Sequence, residues 1–549
     1  MKQSHRLNNV GLINRDKVIT FNFNGKSYQG YEGDTLASAL LANGVHLVGR
    51  SFKYHRPRGF IGAGVDEPNA KLQVTINGHS EPNINATEIE LVDGLSATSQ
   101  NCWPSVEFDI GAINNFLKRF FPAGFYYKTF MWPKSFWYKV YEPFIRKAAG
   151  LGVASLEKDK ERYEHKFEYC DLLVTGSGPS GLASAYAAAK NGAKVILAED
   201  KPRYGGTLLT DDVSIDNMSG KDWSEKIISE LKTMPNVTLK NRSQVFGYYD
   251  HNMMVMFERV GDHLSNKSKF TPRQRLWYIR AKETILSTGS IERPIVFGNN
   301  DTPGVVLSSA AKEYMKVYGV LVGRKPIIFT NNDSAYETAF EFKKNNVEPI
   351  ILDTREEHDS EVVQEAKNKG IQIKFSYGVI VANGYKKVKS AKIGKLTKDK
   401  KSFESTETIN CDCICVSGFW TPTVHLASQS GNKLKFDEKI DAFIPDKSKQ
   451  NEKTIGAANG SFTLQETIES GFKTGSELSS KITDKNNENK IPTVTETKYS
   501  VHDKFWCMPL PKNENPKRFV DFQNDVAVSD IELSLIHISE PTRQAEMSY

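Results

Sequence analysis

The chain has 549 residues, of which 39% are hydrophobic and 25% are charged, proportions that are ordinary for soluble globular proteins. Its formal net charge of +6 is small for this length and no dense basic cluster occurs, which argues against a nucleic-acid-binding surface. The N-terminus lacks the apolar region of a signal peptide and no run of about 18 apolar residues occurs, so we expect a cytoplasmic chain without a membrane span.

Residues 1–100 are predicted to form a small ferredoxin-like β-grasp domain. Alternating apolar residues at 18–31 flank Asn24-Gly25, which is typical of a two-residue hairpin turn. A short helix and further strands follow, as in plant-type ferredoxins. The loop at 60–68 (FIGAGVDEP) keeps the glycines of a cluster-binding loop but has no cysteine, and an iron–sulfur cluster requires thiolates. We therefore expect the ferredoxin-like fold without its metal.

Residues 101–165 are predicted to form an aromatic-rich connecting or interface segment. Phe, Tyr and Trp are dense between 116 and 144, but several lysines and two prolines interrupt them, which excludes a membrane span. Aromatic side chains bury large areas, so we expect this stretch to pack against a neighbouring domain or another subunit. The sequence does not separate these two interpretations.

Residues 166–310, rejoined by 440–482, are predicted to form a first dinucleotide-binding domain. An apolar strand runs into Gly176, Gly178 and Gly181, a helix follows, and a second strand leads to Glu199. The first glycine permits the tight turn, the second lets the backbone approach a pyrophosphate, and the third lets helix and strand pack closely. The helix start favours phosphate, and the acid accepts hydrogen bonds from a ribose. The alternative is a glycine turn that binds nothing.

Residues 311–439 are predicted to form a second Rossmann-like domain. Its turn at 330–336 has no glycine, and Cβ atoms there would crowd a pyrophosphate, so we expect no dinucleotide at that turn. The predicted fold class is α/β, with two interleaved Rossmann-like dinucleotide-binding domains of the flavoprotein disulfide-reductase type. From the residues alone, the ligand of this architecture would be FAD.

The sequence indicates neither a metal site nor a catalytic group. Cys411, Cys413 and Cys415 have the period of two that is typical of a strand, whereas zinc sites use wider spacings. The six cysteines form no disulfide framework, which suits a reducing compartment. No nucleophile–base pair emerges, so we assign no catalytic residue.

The last two segments are predicted from composition. Residues 483–533 are expected to be a polar linker and the start of a further domain. Residues 534–549 resemble the translation of sequencing-adapter DNA, and we interpret them as an artefactual tail.

Six segments outside the glycine motif carry a resemblance to a known family. They are 51–59 (SFKYHRPRG), 124–130 (GFYYKTF), 290–294 (SIERP), 331–336 (NNDSAY), 417–422 (SGFWTP) and 519–521 (FVD). Together with the glycine motif, they resemble the α subunit of heterotetrameric sarcosine oxidase from about residue 18 to about residue 533. The absence of cluster cysteines favours this branch over the larger subunits of opine oxidases, amino-acid dehydrogenases and hydrogen cyanide synthase.

The resemblance implies oxidation of sarcosine, a small amine, by O₂ to glycine and H₂O₂, with the one-carbon unit passed to tetrahydrofolate. It implies NAD in this chain, which replaces FAD as the expected ligand, and it implies FMN at the interface with the β subunit and FAD in the β subunit. The implied partners are the β, γ and δ subunits. Tetrahydrofolate would bind a C-terminal aminomethyltransferase-like domain, and this chain is expected to end where that domain would begin.

The resemblance also implies a set of NAD-binding positions at the pyrophosphate, at the adenosine ribose and along neighbouring backbone. They are Gly176, Gly178, Pro179, Gly181, Glu199, Asp200, Gly206, Thr207, Val245, Thr288, Gly289, Ala457 and Ala458.

Two alternatives remain open. The chain could be an FAD/NAD(P)H-dependent oxidoreductase or a subunit of an opine or amino-acid dehydrogenase. It could also be a non-catalytic nucleotide-binding scaffold whose aromatic segment docks other subunits.

Overall fold

The computed structural model describes residues 3–115, 130, 132–148, 150, 152–265, 267–485, 487, 489–496 and 502–538. Within these ranges, no helix combines the length and apolar character needed to cross a bilayer. Three sheets position the candidate site: a five-stranded sheet near the N-terminus, a seven-stranded sheet and a five-stranded parallel sheet.

The N-terminal residues form the predicted β-grasp fold. Its elements are β1 Asn14–Phe23, β2 Lys26–Glu32, α1 Leu36–Ala42, β3 Gly49–Arg50, β4 Pro57–Arg58, β5 Lys71–Ile76, β6 His79–Asn85 and β7 Ser96–Ser99. The sheet order is β2-β1-β7-β5-β6, and the sheet and α1 share one apolar core. The turn between β1 and β2 lies at Asn24 and Gly25, and both have positive φ, as a type I′ hairpin requires.

A buried carboxylate organises the cysteine-free loop at 60–68. Glu67 is 2% exposed. Its Oε2 accepts hydrogen bonds from the N–H groups of Ile61 (2.6 Å) and Gly62 (2.8 Å), and its Oε1 accepts from those of Asn69 (2.7 Å) and Ala70 (3.1 Å). Burial raises the pKa of Glu67 to about 7. One side chain therefore satisfies four backbone donors of a loop that carries no cysteine.

Much of the aromatic-rich segment, residues 116–129 and 131, lies outside the described residues. The chain before it ends in a 3₁₀ turn, Ile110–Asn115, and after it a 3₁₀ turn (Lys134–Phe136) and a π-turn (Trp137–Tyr141) lead into α2 Glu142–Ala148. Trp132 and Tyr138 are each 83% exposed and Phe144 is 68% exposed. Packing within the described part of the chain does not bury these rings.

The first nucleotide-binding domain is built on the seven-stranded sheet. Its strands are β8 Tyr163–Thr175, β9 Val195–Ala198, β12 Val237–Lys240, β13 Ser243–Tyr249, β14 Met253–Arg259, β15 Gln274–Leu286 and β28 Glu452–Thr454. Its other elements are α3 Pro179–Lys190, the short strands β10 Ser214–Ile215 and β11 Met218–Ser219, α4 Gly220–Thr233 and α9 Leu464–Thr483. The strand order is β12-β9-β8-β15-β14-β13, with β28 also beside β15. Because β12, β9, β8, β15 and β28 are parallel, their carboxyl ends share one edge.

The second domain is inserted between β15 and β28. Its parallel sheet has the order β17-β24-β18-β19-β20 and consists of β17 Val305–Leu307, β18 Pro326–Thr330, β19 Ile350–Asp353, β20 Gln372–Phe375 and β24 Cys413–Ser417. Helices α5 Ser308–Tyr318, α6 Tyr336–Lys344 and α7 Glu361–Asn368 connect these strands, and β21 Tyr377–Gly384, β22 Val388–Leu396 and β23 Phe403–Asn410 form an antiparallel sheet. Cys413 and Cys415 are buried in β24, as the strand interpretation predicted, whereas Cys411 is buried just before the strand begins; all three are free thiols.

A two-stranded ribbon joins the two domains. It pairs β16 Ser290–Glu292 with β25 Trp420–Pro422 and is followed by α8 His425–Gln429, β26 Lys433–Asp437 and β27 Ala442–Lys447. With the two domains and the β-grasp fold in place, the predicted fold class is confirmed.

Residues 502–527, which we call the C-terminal strap, pack back on the preceding domains. The remaining elements are β29 Val494–Thr495, which pairs with β10, then β30 Phe519–Asp521, β31 Val526–Ala527 and α10 Val528–Ile538. Phe519 is fully buried, and its N–H donates to Asn300 Oδ1 at 2.9 Å. Asp525 pairs with the buried Arg58 and accepts from the N–H of Lys53 at 2.7 Å. The strap therefore ties the segment between β16 and β17 to the β-grasp domain.

We expect Glu67→Ala to destabilise the chain by about 3–5 kcal/mol, because it removes the acceptor of four buried N–H groups. Urea unfolding would measure the loss. Asp66→Ala, on the adjacent half-buried residue, is the control and should cost under about 1 kcal/mol. Equal effects of the two substitutions would contradict the anchoring role of Glu67.

Candidate nucleotide-binding site

The glycine motif forms a tight turn with an open face. Gly176 has φ +92°, and a Cβ there would lie 2.4 Å from the carbonyl oxygen of Ser287. A Cβ at Gly181 would lie 1.9 Å from the carbonyl oxygen of Gly176. A Cβ at Gly178, in contrast, would have no atom within 4 Å. Two glycines therefore allow close backbone packing, and the third leaves the space that a pyrophosphate needs.

Helix α3 begins directly at this open face. Gly178 is the N-cap residue and Pro179 occupies the first turn, where a missing N–H costs nothing. No side chain caps the helix start, so its free N–H groups remain available to an anion. Helix α9 holds α3 in place, because Gly475 lets it approach so closely that a Cβ there would lie 2.3 Å from the carbonyl oxygen of Ser184.

The segment after β9 covers one side of the turn. The N–H of Gly205 donates to the carbonyl oxygen of Ser177 at 3.1 Å, and a Cβ at Gly206 would lie 2.9 Å from Cα of Gly178. Gly206 and Thr207 are exposed at the start of a 3₁₀ turn, Gly206–Leu209. The structure thus brings these two predicted residues to the mouth of the site.

Glu199 lies at the carboxyl end of β9, where the sequence placed the ribose-binding acid. It is 6% exposed; Oε2 accepts from the N–H of Ser177 at 2.9 Å and also from its hydroxyl group, and Oε1 accepts from the N–H of Lys201 at 3.0 Å. Burial, and secondarily Asp200, raise the pKa of Glu199 to about 8. Asp200 is half-buried, and its carbonyl oxygen accepts from Arg259 at 2.7 Å. Sequence reasoning missed Ser177, since the motif defines only the glycines.

The remaining predicted residues lie along the same sheet edge. Val245 lies two residues after Ser243, whose N–H donates to the carbonyl oxygen of Glu199 at 2.7 Å. Thr288 and Gly289 follow β15, and a Cβ at Gly289 would have no atom within 4 Å. Ala457 and Ala458 follow β28 in a 3₁₀ turn, Gly456–Asn459, of which Ala458 is fully buried. These predicted positions thus lie beside or just after strands of the seven-stranded sheet that also carries the glycine turn.

The corresponding turn of the second domain is filled by its own side chains. Asn331, Asn332 and Asp333 are each at most 1% exposed. Asn332 Nδ2 donates to Ser417 Oγ at 3.1 Å, and Asp333 pairs with Arg355 at 2.7 Å. These polar groups occupy the edge at which the first domain leaves an open crevice.

The groups around the glycine turn are suited to binding a ligand. They are backbone N–H donors, a buried carboxylate and unobstructed glycine backbone. Nowhere in the described ranges do three or more His, Cys, Asp or Glu side chains come together in a group that could hold a metal ion. The arrangement is suited to hold a diphosphate between two ribosyl groups.

Comparison with known protein families divides the chain as the fold does. A family described as "2Fe-2S iron-sulfur cluster binding domain" matches residues 16–102, although Cys102 is the one cysteine of that region. A family described as "FAD dependent oxidoreductase" matches residues 171–252, which contain the glycine motif.

Curated relatives match nearly the whole chain. A sarcosine oxidase subunit alpha of Rhizobium meliloti (strain 1021) is 41% identical over 97% of this chain and 53% of its own length. The chain is therefore similar to sarcosine oxidase alpha subunits over nearly its whole length. Another sarcosine oxidase subunit alpha, of Corynebacterium sp. (strain U-96), is 31% identical over 94% of this chain and 50% of its own length. The chain therefore spans about half the length of the curated relatives it matches.

One solved structure has a similar fold over the same extent. The L-proline dehydrogenase of P. horikoshii superposes with a TM-score of 0.60 at 18% identity, covering 97% of this chain and 87% of that chain. At this identity the similarity concerns the arrangement of domains.

We expect Gly178→Val to abolish nucleotide binding while leaving the nucleotide-free chain folded. Gly178 has an ordinary extended backbone conformation, and an added Cβ has no protein atom within 4 Å. The valine side chain would therefore clash with the bound nucleotide and not with the protein. Gly181→Ala should instead lower the free energy of unfolding by about 2 kcal/mol or more, because the added Cβ clashes with the carbonyl oxygen of Gly176. Thermal unfolding with and without nucleotide would measure both effects. Nucleotide binding by Gly178→Val at wild-type affinity would contradict the site.

We expect Glu199→Gln to flatten the dependence of stability on pH. The pKa of this carboxyl group is raised to about 8 in the folded chain. Its contribution to stability is therefore fully present at pH values below its ordinary pKa and is lost as the pH rises through 8. Each unit of pKa shift corresponds to about 1.4 kcal/mol. Melting temperatures of the nucleotide-free proteins between pH 5 and 9 should therefore fall less steeply in Glu199→Gln. Parallel curves for the two proteins would show that Glu199 is not responsible.

Proposed function

We propose that this chain is the NAD-binding part of the α subunit of a heterotetrameric sarcosine oxidase in the cytoplasm. The complex oxidises sarcosine with O₂ to glycine and H₂O₂ and passes the one-carbon unit to tetrahydrofolate. The observation that carries the proposal is the 41% identity to a curated sarcosine oxidase subunit alpha over 97% of this chain. The amine is oxidised at FAD on the β subunit, and electrons reach O₂ through FMN at the interface between the α and β subunits.

In this proposal the described part of the chain binds and positions the nucleotide and does not supply a reacting group. Gly176, Gly178 and Gly181 would accommodate the pyrophosphate of NAD, and Glu199, which accepts from Ser177, would accept hydrogen bonds from the adenosine ribose. When bound, NAD supplies a nicotinamide ring that can accept a hydride. The open space at Gly178 and the uncapped start of α3 support this placement.

A second candidate for the same crevice is FAD. The match of residues 171–252 to a family of FAD-dependent oxidoreductases favours it. NAD and FAD share the ADP half that a glycine turn and a ribose-binding acid recognise, so the described residues at the turn suit both. The filled second turn argues against a free-standing FAD/NAD(P)H oxidoreductase, which requires two nucleotide sites.

The β, γ and δ subunits are the proposed partners. Trp132, Tyr138 and Phe144 support docking of another subunit, because rings this exposed are typical of interfaces. Lys134 and Lys139 lie among them and favour an acidic partner surface.

Nucleotide released from the purified full chain by denaturation should be NAD, identified by mass spectrometry. The chain co-expressed with its β, γ and δ partners and loaded with flavin should release H₂O₂ on addition of sarcosine. Gly178→Val is the control and should lose the nucleotide. FAD in the extract would favour the second candidate, and a flavin-loaded complex without sarcosine-dependent peroxide would reject the proposed activity.

A further inference from the structure

Phe419, between β24 and β25, has a backbone conformation that bulky residues rarely adopt. Its φ is +78°, in the left-handed region, and the N–H of Arg293 donates to its carbonyl oxygen at 2.9 Å. Such strain persists only where the surroundings enforce it, and it concentrates at ligand sites and active sites.

Phe419 belongs to a cluster of rings at the ribbon between the two nucleotide domains. We call Phe419, Phe462, His502 and Trp506 the hinge aromatic cluster. The ring of Phe419 stacks on His502 with 4.1 Å between centroids and 9° between planes, and it meets Phe462 edge-on at 5.2 Å. The ring of Trp506 lies 5.6 Å from that of His502, and the Arg293 guanidinium lies 4.0 Å above Trp506.

Hydrogen bonds to Asp441 hold one part of the cluster, whereas the two phenylalanine rings are partly exposed. Trp506 Nε1 donates to Asp441 Oδ2 at 2.8 Å, and Arg293 Nη1 donates to the carbonyl oxygen of Asp441 at 2.7 Å. Phe419 and Phe462, in contrast, are only half-buried. Trp506 and His502 therefore support the partly accessible rings of Phe419 and Phe462.

One polar atom of the cluster is left unsatisfied. His502 is 6% exposed, and within the described part of the chain its Nε2 finds no hydrogen-bond partner. Burial lowers the pKa of His502 to about 4, so its ring is neutral at pH 7. A buried polar atom without a partner indicates that a ligand or a water completes the site.

The order of the strands leads from the glycine turn to this cluster. Along the carboxyl edge, Glu199 follows β9, the glycine turn follows β8, and Thr288 and Gly289 follow β15. A dinucleotide with its adenosine ribose at Glu199 would therefore extend its other half toward Gly289, away from Glu199.

Two chain segments continue from that point to the cluster. Gly289 accepts a hydrogen bond from the N–H of Thr423 at 3.0 Å, and the paired strands β16 and β25 lead from there to Phe419. The 3₁₀ turn that carries Ala457 and Ala458 leads to Phe462, with the N–H of Ser461 donating to the carbonyl oxygen of Gly456 at 3.2 Å. Both segments converge on the pair Phe419–Phe462.

We propose that Phe419 and Phe462 form the stacking site for the planar nicotinamide ring of the bound dinucleotide, with His502 as a positioning residue behind Phe419. This inference rests on the proposed function, because it takes NAD as the ligand of the glycine turn. It extends the site from the first domain into the hinge, so that the ligand contacts the segments that connect both domains.

The test compares NAD with ADP-ribose, which lacks the nicotinamide ring, on the nucleotide-free full chain by calorimetry. Phe419→Gly removes the ring and suits the positive φ, so the backbone is not strained by the change. We expect this variant to bind NAD about tenfold more weakly and ADP-ribose with unchanged affinity. Phe167→Ala, which removes a 75% exposed ring on β8, is the matched control and should change neither affinity.

Equal weakening of NAD and ADP-ribose in Phe419→Gly, or no weakening of either, would overturn the stacking site. Equal affinity of the wild-type chain for NAD and ADP-ribose would overturn it as well. Failure of the wild-type chain to bind either compound would instead reject the proposed nucleotide site itself. His502→Gln should reproduce part of the loss for NAD alone, which a purely structural role of His502 would not produce.

Discussion

The candidate site depends on a contact between backbone atoms that leaves no room for a side chain. At Gly181 a Cβ would lie 1.9 Å from the carbonyl oxygen of Gly176, and at Gly176 it would lie 2.4 Å from that of Ser287. These distances bring the end of β8, the start of α3 and the end of β15 together. The open position at Gly178 exists because its neighbours on both sides are packed this closely.

The same use of small residues extends outward from the turn. Helix α9 approaches α3 through Gly471 and Gly475, where a Cβ would lie 2.6 Å and 2.3 Å from carbonyl oxygens of α3. Since α9 follows β28, this packing brings the chain back to the first domain after the insertion. The C-terminal strap contacts the insertion domain where the N–H of Asp503 donates to the carbonyl oxygen of Asn331 at 3.0 Å, and it contacts the β-grasp domain through Asp525.

The features that could be predicted from the sequence are those encoded within a short stretch of chain. The glycine turn, the helix after it and Glu199 lie within 24 residues, and the Asn24-Gly25 hairpin needs only its neighbours. Glu67 escaped prediction, because a buried glutamate that anchors a loop has no motif. The contact of His502 with Phe419 joins residues 83 positions apart, and that of Asp525 with Arg58 joins residues 467 positions apart. These contacts form only when the strap packs on the rest of the chain, and no periodic pattern in the sequence predicts them.

The carboxylate of Glu67 changes what the β-grasp domain requires from the cell. A ferredoxin fold that is held together by a metal cluster depends on iron supply, on sulfide and on assembly factors, and oxidants destroy its cofactor. Here a side chain made on the ribosome gives the loop its acceptor, and four N–H groups are satisfied as soon as the chain folds. Because this anchor is a carboxylate and not a metal cluster, the anchor itself needs neither iron nor sulfide.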